Sequence, residues 1–122
     1  IGETANEKKK GKTLNILRTQ INATLERGFN LNKILVAYEP VWSIGSNKIP
    51  EYHELNKIIK FIKLTISKRL SFQIKPKVLY GGSVNPQNIT LFSKIKEIDG
   101  FLIGGASQSA NKFIDIIRNY YK

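Results

Sequence analysis

The sequence has no cysteine and no methionine, and only one histidine and one tryptophan, in 122 residues. Without thiols there is no disulfide scaffold and no thiolate metal site, although a reducing cytosol is compatible with that composition. One histidine without neighbouring ligand types fits no metal cluster. No apolar run reaches the roughly 20 residues that span a membrane. Residues 1–12 are polar and lysine-rich, unlike a signal peptide. The chain opens on Ile-Gly-Glu without an initiator methionine, which is not expected of a natural beginning. Acidic residues are scarce, nine against twenty Lys and Arg, giving a net charge of +11. A polyanion partner is one reading of that charge. General surface charge is the favoured one, because the lysines lie on helix faces, are not interleaved with aromatics and accompany no groove-reading motif. A positive field also attracts a small anionic substrate.

What is present is a repeated unit of apolar strand, distinctive loop and helix. Ile1 to Thr4 reads as the end of a strand entering a loop, and Asn6 to Lys12 as a charged loop whose Lys8-Lys9-Lys10 run is a solvated face. Thr13 is a helix cap, Leu14, Leu17, Ile21 and Leu25 follow at helical spacing, and Gly28 ends that helix. Lys33 to Tyr38 is a buried parallel strand. Pro50-Glu51 suits a helix start, and Leu55, Ile58, Ile59, Ile62 and Ile66 make an apolar stripe to about Leu70. Pro76 to Tyr80 is a second strand, followed by Gly81-Gly82-Ser83. Asn85-Pro86 reads as a cap and first turn of a short helix to about Lys94. Gly100 to Ile103 is a third strand, followed by Gly104-Gly105-Ala106-Ser107, and a last helix runs from about Ser109 to Tyr121. This alternation predicts an α/β fold with parallel strands in a single domain.

The loops after the strands carry the candidate chemistry, because β/α folds bind ligands at that end of the sheet. Glu39 stands where the first strand stops, and Pro40 prevents the strand from continuing. Val41, Trp42 and Ile44 are large and apolar in a short loop closed by Gly45, as a lid over Glu39 would be. A carboxylate stripped of water under such a lid is a stronger base. The two glycine pairs lack Cβ atoms, so an anion can approach their backbone N–H groups at the helix starts, and Ser83 adds a hydroxyl. Together they predict a phosphate or sulfate cradle. His53 falls in the helix after the lid and is expected on its surface. Asp99 precedes a strand, at the opposite end of the sheet, and is expected in a turn.

Ala37 to Gly45, Tyr80-Gly81-Gly82-Ser83-Val84-Asn85-Pro86 and Gly104-Gly105-Ala106-Ser107 resemble the triose-phosphate isomerase family in order and spacing. Ile1-Gly2-Glu3 is similar to the end of that family's fifth strand. The resemblance covers nearly the whole chain and implies the C-terminal half of a (β/α)8 TIM barrel, residues 1–122, from the end of strand 5 through helix 8. It implies that Glu39 moves a proton between adjacent carbons of a triose phosphate through an enediol(ate). It also implies that Pro40, Val41, Trp42, Ser43, Ile44, Gly45, Ser46, Asn47 and Lys48 form the lid. Gly45, Ser83, Gly104 and Gly105 would hold the substrate phosphate. Tyr80 and Ser83 would grip the closed lid, and Glu3 would lie near the lid tryptophan in the open form. No metal and no organic cofactor are implied, nor a nucleic-acid or membrane partner. The parent would be a cytoplasmic homodimer.

Two departures from the family pattern stand out. Asn47 replaces the usual glycine of the trailing hinge, and the link between Lys48 and Pro50 is about two residues short. The family's catalytic lysine and electrophilic histidine come from the other half of the barrel and have no counterpart here; with sheet edges and apolar helix faces also left open, the 122 residues alone are expected to be inactive and poorly stable. The alternatives are a phosphate-binding half barrel without catalysis, or a basic nucleic-acid-binding protein.

Overall fold

The computed structural model describes residues 1–26, 28–70 and 75–122. Among them the order is α1 (Ala5–Lys9), α2 (Thr13–Thr24), β1 (Leu35–Tyr38), α3 (Tyr52–Leu70), β2 (Lys77–Gly81), α4 (Ile89–Phe92), β3 (Gly100–Leu102) and α5 (Ala110–Tyr120). The strands form one parallel sheet in the order β1-β2-β3. The α/β alternation is therefore as expected. Ile1–Glu3 runs beside β1 as a further stub. The Ile1 amino group donates to Ala37 O at 2.8 Å, Glu39 N donates to Ile1 O at 2.8 Å, and Val41 N donates to Glu3 O at 3.0 Å.

Register decides what faces what. Val36 pairs with Val78 and Tyr38 with Tyr80. Side chains alternate along a strand, so this set shares one face. On that face Tyr38, Val78 and Tyr80 are buried with Leu17 and Ile21 of α2 and Leu55, Ile59, Ile62 and Ile66 of α3. This is the core. Leu35, Ala37, Lys77 and Leu79 take the opposite face, where Leu35 is 63% exposed. The first strand is therefore two-faced, not buried on both sides, because no described residue covers its second face.

Local chemistry corrects several boundaries. Residues 6–12 are not a plain loop. Thr4 and Glu7 form a reciprocal capping box that starts α1, with Glu7 N donating to Thr4 Oγ1 at 3.3 Å and Thr4 N to Glu7 Oε2 at 2.7 Å. The Thr4 backbone N–H, and then its hydroxyl at 2.9 Å, both donate to the Glu7 carboxyl and hold it below its ordinary pKa. Gly11, at φ 68°, turns the chain into α2. Thr13 is the first helical residue, with Lys12 in the cap position and no side-chain cap. α2 ends at Thr24, before Gly28. Glu51 caps α3 by accepting from His53 N at 2.9 Å and Glu54 N at 3.1 Å, which lowers its own pKa. Asn85-Pro86 does not open α4. The Asn85 side chain accepts from Gln87 N and Asn88 N, both at 3.0 Å, closing a turn that delays the helix to Ile89. Ser109 caps α5 as expected.

Candidate functional site

Glu39 follows Tyr38, which pairs with Tyr80, so it lies opposite Gly81. Alternation aims it at the face of Leu35 and Ala37, away from the helices. A Cβ at Gly81 would stand 2.6 Å from Glu39 Cγ and 2.9 Å from its Oε1. Gly81 is thus the seat of the carboxylate. Gly2 plays the same part for its backbone, since a Cβ there would fall 1.9 Å from Glu39 O. No polar side-chain atom of a described residue is buried without a hydrogen-bond partner. The Glu39 side chain is half-buried and directed at the open face.

The loop that follows is held at both ends. On its leading side, Trp42 Nε1 donates to Glu3 Oε1 at 2.8 Å. Glu3 is itself fully buried and accepts from Tyr38 Oη at 3.2 and 3.1 Å. Burial, then the adjoining Glu3 carboxylate, pushes the Tyr38 phenol well above its ordinary pKa. On its trailing side, Asn47 N donates to Ser83 Oγ at 3.0 Å. Ser43 Oγ meets Tyr80 Oη at 3.2 Å, accepts from Ser83 N at 3.3 Å and donates to Lys48 O at 2.5 Å. Burial raises the Tyr80 phenol too, against the lowering effect of the Ser43 bond. Ser46 Oγ closes the turn on Trp42 O at 2.9 Å and Ser43 O at 3.0 Å. The Glu3 contact and the Ser83 grip therefore occur in one loop position. Val41 and Ile44 remain 54% and 55% exposed beside the open face. Asn47 has φ 58°, the one positive φ outside glycine among the described residues, so it adopts a left-handed turn at the trailing end of the loop.

The two glycine pairs differ. Gly81 is filled by Glu39. A Cβ at Gly82 would meet Tyr80 Oη at 2.7 Å and Ser43 Oγ at 2.8 Å. This pair makes room for protein groups, where the sequence points to a ligand. At Gly104 and Gly105 a Cβ would find nothing within 4 Å. Gly105 borders a cleft of about 370 Å³ with Gly45, Ser83 and the Gly82 backbone. Among the described residues Lys112 is the one charged residue lining it, with no acidic residue opposing it. The cleft suits a small anion. Gly45, Ser83 and Gly105 are brought together there; Gly104 is adjacent in sequence but does not line it.

Some contributors give little sign in the sequence. Asn88 Nδ2 donates to Ser83 O at 2.6 Å and its Oδ1 accepts from Asn85 N at 2.9 Å, fixing the Ser83 loop. Its position three residues after Asn85 is the available hint. Lys8 is not merely a solvated charge: its Nζ lies 4.8 Å from the Trp42 ring centroid and pairs with Glu54. His53 is on the surface, edge-on to Tyr52. Asp99 accepts from Val78 N and pairs with Lys63, each at 2.8 Å, at the end of the sheet away from Glu39. Among the described residues no group of three His, Cys, Asp or Glu could hold a metal ion, and no helix is long and apolar enough to cross a membrane.

A family model described as triosephosphate isomerase matches residues 1–120. Triosephosphate isomerase of Mycoplasmopsis pulmonis is 42% identical over 117 residues, covering 96% of this chain and 44% of that protein. The Saccharomyces cerevisiae protein of the same name is 40% identical over 121 residues, covering 98% and 48%. The solved triosephosphate isomerase of Bartonella henselae superposes with a TM-score of 0.85 at 34% identity, covering all of this chain and 48% of that one. The chain spans about half the length of the curated relatives it matches. Its parallel strands and alternating helices form part of a (β/α) barrel, and the chain belongs to the triosephosphate isomerase family.

Proposed function

We propose that residues 1–122 act as the C-terminal half of a triose-phosphate isomerase, interconverting dihydroxyacetone phosphate and D-glyceraldehyde 3-phosphate. In this reading Glu39 takes a proton from the carbon beside the substrate carbonyl. The electron pair left behind forms an enediol(ate), the same carboxyl returns the proton to the neighbouring carbon, and the hydroxyl proton passes from the one substrate oxygen to the former carbonyl oxygen. The phosphate is held in the cleft lined by Gly45, Ser83 and Gly105, with Gly104 next in the chain, and residues 40–48 close over the reacting carbons and exclude water. The division of labour among base, electrophile and closing loop is long established for this class of enzyme. The catalytic lysine and the electrophilic histidine would come from the other half of the barrel. The whole protein is proposed to be a cytoplasmic homodimer needing no cofactor.

One observation carries this reading: Glu39 is seated over Gly81 at a strand end, beside a loop that Ser83 ties to the rim of an anion-sized cleft. A phosphate-binding module alone needs neither the seated carboxylate nor the tied loop. The test is a chimera in which residues 1–122 replace the matching half of the Mycoplasmopsis pulmonis relative. It should be active, and Glu39→Gln should lower its turnover by about 10²–10⁴-fold while leaving glycerol 3-phosphate affinity within about twofold. Unchanged turnover would refute the base assignment. The 122-residue chain by itself should show no turnover.

A further inference from the structure

We infer that Lys8 is a positioning residue for the lid, acting through Trp42, and that it makes the lid's leading limb sensitive to ionic strength. The indole is held from two directions. Its N–H donates to Glu3 at 2.8 Å, and its face is covered by the Lys8 ammonium 4.8 Å from the ring centroid. The ammonium also pairs with Glu54 in the first turn of α3, the helix that follows the lid. The cation therefore joins three elements: α1, the lid and α3. An ammonium over an aromatic face is attracted by the ring quadrupole, and its partner carboxylate fixes where it stands.

Lys8 is fixed to its place by α1. The Thr4–Glu7 capping box starts that helix directly after Glu3, so one short segment delivers both the acceptor for the indole N–H and the cation for its face. Among the described residues the trailing limb has no such arrangement, being held by neutral hydroxyl and backbone bonds from Ser43, Asn47, Ser83 and Tyr80. Lys8 and Glu54 side chains are 30% and 39% exposed. Mobile ions reach such a pair and weaken it. Salt should thus loosen the leading limb and leave the trailing limb in place.

The inference rests on reading residues 40–48 as a lid, and its test separates the two. Trp42 is the only tryptophan in the chain, so its fluorescence reports the leading limb directly. In the purified chain, acrylamide quenching of Trp42 should rise as salt increases from low to about 0.5 M, where the screening length is only a few ångströms. Lys8→Met should raise quenching by about two- to fivefold at low salt and abolish the salt response. Lys8→Arg should restore both, Glu54→Gln should give part of the change, and Lys10→Met should give none. Circular dichroism identifies any variant that fails to fold, and the salt titration of the unsubstituted chain then stands by itself. A salt-independent parent, or a folded Lys8→Met chain that quenches like the parent, would overturn the assignment. Glycerol 3-phosphate should separately shift Trp42 emission. If it does not while the Lys8 effects persist, the lid reading fails and the positioning contact stands.

Discussion

Gly81-Gly82 and Gly104-Gly105 look alike in sequence, each following an apolar strand and preceding a helix. In the folded chain the spaces over them differ. The first pair is filled from within: Glu39 occupies the space over Gly81, and Tyr80 and Ser43 occupy the space over Gly82. The second pair faces open space. A missing Cβ creates room, and what enters that room depends on register. Because Tyr38 pairs with Tyr80, the residue after one must sit across from the residue after the other, so Glu39 meets Gly81. Gly105 has no strand partner of that kind, since β3 ends at Leu102 and the chain has already turned into a short 3₁₀ segment, Gly105–Gln108. Similar dipeptides thus give one seat for a carboxylate and one open approach to the backbone.

The largest expected effect is at the filled pair. Gly81→Ala places a methyl 2.6 Å from Glu39 Cγ, so the carboxylate must move. In the chimera, turnover should fall by about 10²-fold, with phosphate-analogue affinity retained. The next concerns pH. Tyr38 and Tyr80, which pack beneath the filled pair, both have phenol pKa values raised by burial. Their contribution is fully present below the unfolded value near 10 and is lost as pH rises toward the folded values. Between these limits, stability should fall with a slope of about 1.4 kcal/mol per pH unit for each phenol. Urea midpoints from pH 9 to 11, with tyrosinate absorbance appearing as the chain unfolds, would check this. Titration of both phenols near pH 10 in the folded chain would contradict it.

At the open pair, Gly105→Ala should leave folded stability within about 0.5 kcal/mol. It should weaken phosphate-analogue binding by about tenfold, the size of one lost charge-assisted hydrogen bond. If instead it unfolds the chain as Gly81→Ala disturbs its site, the contrast between the pairs disappears. The smallest effect is at Asn47, at the trailing end of the loop. Asn47→Ala should cost about 1 kcal/mol through its positive φ, read as a lower urea midpoint, while Asn47→Gly should be close to neutral.

Much of this is legible in the sequence for stated physical reasons. The 3.6-residue stripe of Leu55, Ile59, Ile62 and Ile66 marks α3 because all four must face one core. Glu39 before Pro40 marks the strand end. What stays hidden depends on long-range placement or on competing local bonds. Thr4 and Glu7 build a helix where a lysine run looks like loop. Asn85 spends its side chain on a turn, delaying α4. Leu35 is apolar yet exposed because its face has no described cover. The filled state of Gly81-Gly82 needs the strand register, which no local pattern contains. Lys8 reads as solvated charge, since nothing in its sequence neighbours points to Trp42, far along the chain.

In the proposed function one glycine pair seats the base and the other receives the anion. Amide NMR of the isotope-labelled chain titrated with inorganic phosphate, and then with glycerol 3-phosphate, tests that division most directly. The Gly105 and Ser83 amides should shift and the Gly81 amide should stay. Shifts centred on Gly81, or none at Gly105 and Ser83, would contradict it.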